Sequence, residues 1–152
     1  MSDVEFLVTA YDAPESVELI DELQAEYVRR YGSGDDTPVA VAEFALPRGI
    51  FIVGWSDGQP VACGGLRVPE PGVVELKRMY VRSAARRRGI ARLLLAPLED
   101  EARGLGATQL RLETGARQPE AIAMYASAGY VDTEPFGHYA DAPESRHLAK
   151  HL

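Results

Sequence analysis

The chain has 152 residues, which suits one domain, and its 46% hydrophobic and 26% charged residues are ordinary for a globular protein. Its net charge of −7 disfavours general nucleic-acid binding, and no apolar run is long enough to span a bilayer. The N-terminus MSDVEFLVTA lacks a basic region followed by an apolar one, so we expect a cytoplasmic protein. Its single cysteine, Cys63, rules out an intramolecular disulfide and is expected in the core.

The first third of the chain predicts a strand, a helix and a break. Val4 to Ala10 is predicted as a strand, and Asp12-Ala13-Pro14-Glu15 as a helix start with aspartate at the cap. Apolar residues at helical spacing extend this helix to about Tyr31, where a segment rich in glycine ends it. A short second helix is predicted over Val39 to Phe44.

Three strands joined by hairpin-length turns are predicted next, over Ile50–Trp55, Pro60–Arg67 and Val73–Val81. The dipeptide Asp57-Gly58 between the first two is a strong hairpin signal. Gly64-Gly65 lies inside the second strand, where glycines indicate a bulge or a close approach of another group. These strands should form an antiparallel run.

The third of these strands changes phase near its middle. Val74 and Leu76 share one face of a regular strand, whereas Met79 and Val81 fall on the other. If all four are buried, the phase slips by one residue near Lys77–Arg78. A β-bulge produces such a slip, and bulges are frequent beside active sites.

A basic turn, Arg86-Arg87-Arg88-Gly89-Ile90-Ala91, leads from this strand into an apolar helix that runs to about Arg103. A helix start leaves backbone N–H groups unpaired and is locally positive, and a glycine lets an anion approach closely. The turn therefore predicts a phosphate cradle, in which backbone N–H groups and an arginine side chain bind a diphosphate. Which arginine faces the ligand stays open. Pro97 should bend this helix or end its regular part.

The last third predicts two further strands around a helix. Gln109 to Glu113 alternates and follows a crossover, so it should lie parallel to the central strand. A helix from Pro119 to Gly129 comes next, then a strand from Tyr130 to Thr133 and a last strand from Arg146 to Leu152. Together the elements predict a single α/β domain over residues 1–152 with a mixed sheet.

Two blocks of this sequence resemble the signature of a known family. Arg86-x-x-Gly89-x-Ala91 matches the Q/R-x-x-G-x-G/A pattern of the GNAT superfamily of N-acetyltransferases, and VELKRMYV before it resembles that family's fourth strand. Glu113-Thr114-Gly115 and the run of residues 119–130, with its A-x-x-(apolar)-Tyr-x-x-x-Gly-(aromatic) pattern, resemble the following motif. The resemblance implies the acyl-CoA N-acyltransferase fold, a mixed and mostly antiparallel twisted sheet with flanking helices.

The resemblance also implies a reaction, transfer of an acetyl group from acetyl-CoA to a primary amine by direct attack. The backbone near Met79, Tyr80 and Val81 is then expected to hold the pantetheine arm and to polarise the thioester. Glu75 stands where family members often carry a base that works through water. An exposed strand carboxylate paired with Lys77 is the alternative interpretation.

Tyr125 matches the tyrosine that protonates the departing thiolate in the family, the alternative being a tyrosine packed in the core. Asp35 and Asp36 lie where the family often forms its acceptor site, the alternative being two solvated carboxylates. The three histidines lie in the last fifteen residues without a cysteine partner, so no metal site is expected.

The acceptor's identity stays open at this point: a small-molecule amine and a peptide terminus both fit the family. So does the oligomeric state, although homodimers are common in the superfamily. A non-catalytic acyl-CoA-binding sensor or regulatory module is the alternative function, because it needs the same cofactor cradle. Only the enzyme requires Glu75 and Tyr125. Nucleic-acid and membrane partners are not expected.

Overall fold

The computed structural model describes residues 3–152, which form seven strands and three α-helices. The strands are β1 (Glu5–Val8), β2 (Gly49–Ser56), β3 (Gln59–Glu70), β4 (Val73–Val81), β5 (Gln109–Gly115), β6 (Val131–Asp132) and β7 (Ser145–His151). The α-helices are α1 (Pro14–Tyr31), α2 (Ile90–Gly104) and α3 (Pro119–Ser127). Short 3-10 helices cover Val41–Phe44 and Ser83–Ala85.

The strands form one sheet in the order β1-β2-β3-β4-β5-β7-β6. The pair β4–β5 is parallel and every other neighbouring pair is antiparallel. This confirms the mixed, mostly antiparallel sheet and the crossover through α2 that the sequence predicts. Among residues 3–152, no helix combines the length and apolarity that crossing a membrane requires.

Two apolar clusters lie on opposite faces of the sheet because side chains alternate along each strand. In β2, Ile50 and Ile52 join the cluster under α2, whereas Phe51 and Val53 join the cluster under α1. All four are at most 3% exposed. Burying one such side chain stabilises the fold by roughly 1.5–3 kcal/mol relative to leaving it in water.

A close approach explains one of the two glycines predicted to be special in β3. A Cβ at Gly65 would lie 2.8 Å from ring carbons of Phe44 and Phe51, so a larger residue would collide with this aromatic cluster. The pairing of β3 with β4 also shifts between Cys63 and Gly65. The predicted close approach is therefore present at Gly65, beside a shift in strand pairing.

The predicted phase slip in β4 is present. Cys63 pairs with Tyr80 while Gly65 pairs with Lys77, so β4 carries one more residue than β3 over this interval. Arg78 adopts a φ of 59° at this bulge, and the side chains that follow it point to the opposite face from the one they would have in a regular strand. As a result, Met79 and Val81 pack against the same apolar cluster that buries the first half of the strand.

One local prediction is wrong, and one of two alternatives in another is excluded. The N-cap of α1 is Ala13 without a side-chain cap, because Pro14 occupies the first helical position, where its missing N–H costs nothing. Pro97 does not end α2, which continues to Gly104. The other alternative, a bend at Pro97, stays a prediction; the proline supplies no N–H to the carbonyl of Leu93, a residue that is 54% exposed.

Candidate active site

A cavity of about 950 Å³ opens where β4 and β5 separate. Their parallel pairing ends at Leu76 and Leu112, after which β5 continues beside β7 alone. Residues 77–81 of β4 and 113–115 of β5 line the cavity from its two sides. The opening thus lies at the carboxyl ends of two parallel strands, the edge where ligands bind in many α/β proteins.

Most residues predicted to bind the cofactor line this cavity. They are Met79, Tyr80, Val81, Arg86, Arg87, Gly89, Ile90 and Ala91. The remaining one, Arg88, is not among the lining residues, and its Nη2 donates to Ser56 Oγ at 3.1 Å. The geometry therefore directs two of the three consecutive arginines to the cavity.

The start of α2 has the features of an anion site. Gly89 is the N-cap, in the left-handed region with a φ of 72°, and no side chain caps the helix. The first N–H groups of α2 thus lack the side-chain acceptor that usually satisfies them. A diphosphate fits this end of the cavity, because N–H groups and the helix dipole both favour negative charge there.

Arg86 is held in place by three contacts. Its Nε donates to the Val81 carbonyl at 3.0 Å, its Nη2 donates to Glu26 Oε1 at 2.7 Å, and its guanidinium lies 5.7 Å from the centre of the Tyr80 ring. Burial, together with nearby Glu22, raises the pKa of Tyr80 to about 12. Arg86 therefore lies at the cavity in a fixed orientation, beside the side chain of Tyr80, which stays neutral.

Tyr125 projects from α3 into the cavity and is 6% exposed. Its ring packs edge to face against Tyr130, with 5.8 Å between the ring centres. Burial raises its pKa above the usual value for a phenol. The hydroxyl consequently keeps its proton throughout the neutral range.

Glu75 lies in a different environment from the one expected. It is 5% exposed, and its two oxygens accept from Arg67 Nε at 3.3 Å and Arg111 Nη2 at 3.0 Å. These three residues stand level on β3, β4 and β5, which explains the contacts. The alternative of an exposed carboxylate paired with Lys77 is therefore wrong. Glu75 is also not among the residues that line the cavity, and its role as base stays a prediction.

A different glutamate, Glu113, does line the cavity. Lys77 Nζ donates to its Oε1 at 2.6 Å, and its Oε2 lies 3.8 Å from His147 Nε2. Glu113 Oε2 and His147 Nε2 are both buried, and neither has a hydrogen-bond partner among residues 3–152. Glu113 thus lines the cavity with its Oε1 held by Lys77, while its Oε2 is buried beside His147 without a donor.

Of the two loop aspartates considered for the acceptor site, Asp35 lines the cavity. Its Oδ2 accepts from Arg78 Nη1, and its Oδ1 accepts from both Thr37 N and Thr37 Oγ1. Burial would raise the pKa of Asp35, but Arg78, Thr37 and Lys77 together hold it below its usual range. Asp36 is exposed, and its backbone N–H donates to Tyr139 Oη.

Several contacts in the cavity could not be predicted because the partners are remote in the chain. Lys77 and Glu113 are 36 positions apart, and Arg78 and Asp35 are 43 apart. Tyr27 and Tyr31 also line the cavity from the last turns of α1. The position of Glu113 at the end of a parallel strand was the one usable signal, because ligands gather at that edge.

Comparison with known proteins agrees with this architecture. The model of the Acetyltransferase (GNAT) family matches residues 17–130, more than half of the chain. The IAA acetyltransferase of Azospirillum brasilense is 38% identical over 137 residues, which cover 90% of each chain.

Solved structures give the same result. A structure described as an acyl-CoA N-acyltransferase of Klebsiella pneumoniae superposes with a TM-score of 0.83 and 31% identity, covering 98% of this chain and 97% of that one. A GNAT family acetyltransferase of Elizabethkingia anophelis with acetyl-CoA bound shares the fold, with a TM-score of 0.72, 16% identity and 98% coverage of both chains. The chain described above belongs to the GNAT family of acetyltransferases.

Proposed function

We propose that this protein transfers the acetyl group of acetyl-CoA to a primary amine, with Tyr125 as the acid. The observation that carries the proposal is the cavity between β4 and β5. One cavity holds an uncapped helix start for phosphates, a bulged strand for the pantetheine arm and a buried phenol. Acetyl-CoA supplies the activated acyl group as a thioester.

The residues then have separate duties. The N–H groups at the start of α2, with Arg86 and Arg87, bind the diphosphate. The backbone of Met79–Val81 lies along the arm and orients the thioester carbonyl.

Acetyl transfer requires proton transfers at the acceptor nitrogen and at the departing sulfur. The acceptor ammonium gives a proton to a carboxylate and becomes nucleophilic, and its nitrogen forms a bond to the acyl carbon. The carbon–sulfur bond breaks, and Tyr125 Oη gives its proton to the departing sulfur, which leaves as the thiol of CoA. The nitrogen loses its second proton as the amide forms, and this proton restores the Tyr125 phenol, while the carboxylate passes the first proton to solvent. A positioned acid or base of this kind contributes about 10²–10⁴-fold to a rate.

For the base, the geometry favours Glu113 over Glu75. Glu113 lines the cavity, and one of its carboxylate oxygens, although buried, has no donor, whereas both oxygens of Glu75 are engaged by arginines away from the cavity. Water-mediated action of Glu75 remains the competing hypothesis. Substituting each glutamate separates the two.

The test is turnover of acetyl-CoA, followed by release of free thiol, against a panel of amines. Tyr125→Phe is assayed beside wild type, with Tyr11→Phe as the matched control, because Tyr11 packs on Phe44 and does not line the cavity. We expect Tyr125→Phe to lower kcat at least tenfold while calorimetry shows unchanged acetyl-CoA affinity.

Two outcomes would redirect the proposal. Tight acetyl-CoA binding without turnover of any amine would favour the non-catalytic sensor. Turnover that Tyr125→Phe leaves intact would keep the enzyme but remove Tyr125 from the acid role.

A further inference from the structure

The residue at the centre of the β4 bulge is an arginine, although its backbone is in the left-handed region. Arg78 has a φ of 59°, a conformation that residues with a Cβ rarely adopt and that glycine adopts freely. Such a conformation persists only where the surroundings determine it. Its contacts must therefore hold it there.

Three contacts fix Arg78 from both ends. Its carbonyl accepts a hydrogen bond from Cys63 Sγ at 3.3 Å. Its side chain, 4% exposed, donates from Nη1 to Asp35 Oδ2 and from Nη2 to the Thr37 carbonyl. The guanidinium thus spans from the bulge to the loop of residues 33–38, which we name the 33–38 loop.

The far end of this connection is itself anchored. The N–H of Asp35 donates to Gln24 Oε1 at 2.7 Å, and its carbonyl accepts from Gln24 Nε2 at 3.2 Å. The backbone N–H and the hydroxyl group of Thr37 both donate to Asp35 Oδ1, the other carboxylate oxygen. Asp35 is therefore fixed to α1, and the bulge is fixed to Asp35.

We propose that the Arg78–Asp35 ion pair positions the bulged segment of β4 for acyl transfer and couples it to the 33–38 loop. The inference rests on the proposed function, because the bulged segment is where the thioester is expected to lie. Arg78 acts through its backbone and through Asp35, so it is a positioning residue. Lysine would not replace it, because one ammonium group does not reproduce the two directed N–H contacts of a guanidinium.

The ion pair has consequences for the acceptor side as well. Ser33, Gly34 and Asp35 line the cavity, so the 33–38 loop forms part of the wall that an acceptor meets. Lys77 Nζ also donates to Thr37 Oγ1, at 3.3 Å, which adds a second connection beside the first. A shift of this loop is therefore transmitted to the strand that carries the thioester.

The decisive variants are Arg78→Gly and Asp35→Asn. Glycine keeps the positive φ without a Cβ and removes the ion pair, so it separates backbone conformation from the connection. Asp35→Asn removes the charge from the other end. The double variant leaves neither charge unpaired, and it serves where a single variant fails to fold. Asp21→Asn, an exposed carboxylate on α1, is the control with the same charge change.

Two measurements are made on each folded variant, kcat with its KM for acetyl-CoA, and amide hydrogen exchange of the segment 77–81. We expect a tenfold or larger loss of kcat, a change below threefold in KM, and at least fivefold faster exchange of the segment. The double variant should be no worse than the worse single one, because both remove the same connection. Asp21→Asn should match wild type.

The outcomes separate the inference from the function. Exchange of 77–81 that stays at the wild-type rate in Arg78→Gly and Asp35→Asn overturns the inference, whether or not the protein turns over acetyl-CoA. Faster exchange with an unchanged kcat also overturns it, because loosening the segment 77–81 would then have no effect on acyl transfer. A wild type without any turnover removes the proposed function, and the exchange data still decide whether the ion pair holds the bulge.

Discussion

At the scale of single residues, two glutamates on adjacent strands meet opposite surroundings. Glu75 is enclosed by Arg67 and Arg111, and Glu113 faces the cavity beside Lys77. Sequence alternation identifies the face on which each lies, but the pairing register of three strands decides which cations lie alongside. That register is a long-range property, which is why Glu75 was expected to be exposed or catalytic.

The first prediction compares the two glutamates directly. Glu113→Gln removes the proposed base, so we expect kcat/KM to fall about 10²–10⁴-fold. Glu75→Gln leaves the cavity intact and should keep the activity within about threefold, but it weakens a buried ion cluster and should cost roughly 1–3 kcal/mol of unfolding free energy. Steady-state kinetics and urea unfolding measure the two effects. A large activity loss in a stably folded Glu75→Gln variant would restore Glu75 as the base.

The second prediction concerns pH and the Asp35 ion pair. The pKa of Asp35 is lower in the folded chain than in the unfolded one, so its contribution to stability is present above the unfolded value of about 3.9. That contribution is lost as the pH falls through the folded pKa. The unfolding free energies of wild type and Asp35→Asn should therefore differ most near neutral pH and begin to converge only as the pH falls below the unfolded value. A difference that stays constant with pH would show that Asp35 acts through shape alone.

At the scale of elements, the sequence predicted most of what positions the site. The hairpin between β2 and β3, the slip in β4 and the apolar helix α2 each follow from local sequence patterns, and the structure confirms each. The separation of β4 from β5 beyond Leu76 and Leu112 was not predicted. It depends on where two strands stop pairing, and no local period records that.

The third prediction tests the turn into α2 with a pair of glycines. Gly89 has a φ of 72°, while Gly104 ends the helix without a positive φ, and a Cβ at either position meets no atom within 4 Å. Gly89→Ala should cost about 1–2 kcal/mol through backbone strain alone and weaken acetyl-CoA binding. Gly104→Ala should instead stabilise by about 0.4–1 kcal/mol by restricting the unfolded chain, with affinity unchanged. Thermal unfolding and calorimetry distinguish them. Equal acetyl-CoA affinity in both variants would contradict a cradle at Gly89.

At the scale of the whole molecule, the net charge is −7, yet cationic side chains line the end of the cavity beside α2. An anionic ligand is repelled by the whole chain but attracted locally by Arg86, Arg87 and the start of α2. Local contacts decide, because charges farther than about 8 Å are largely screened at physiological ionic strength. Overall charge therefore says little about the ligand, whereas the Arg/Gly turn predicts an anion site at the start of α2.

The fourth prediction follows from binding of acetyl-CoA in the cavity where β4 and β5 separate. A ligand that binds only the folded chain should add about 2.7 kcal/mol to the unfolding free energy at one hundred times its dissociation constant. This global gain slows exchange of every amide that requires full unfolding. Amides that exchange through local fluctuations give the sharper test. With acetyl-CoA, protection of this second kind should rise in residues 77–81 and at the start of α2. It should stay unchanged in β1, which lies at an edge of the sheet and is separated from β4 by β2 and β3. Added protection in β1 but not in β4 would place the ligand outside the cavity, and with it the chemistry assigned to Tyr125.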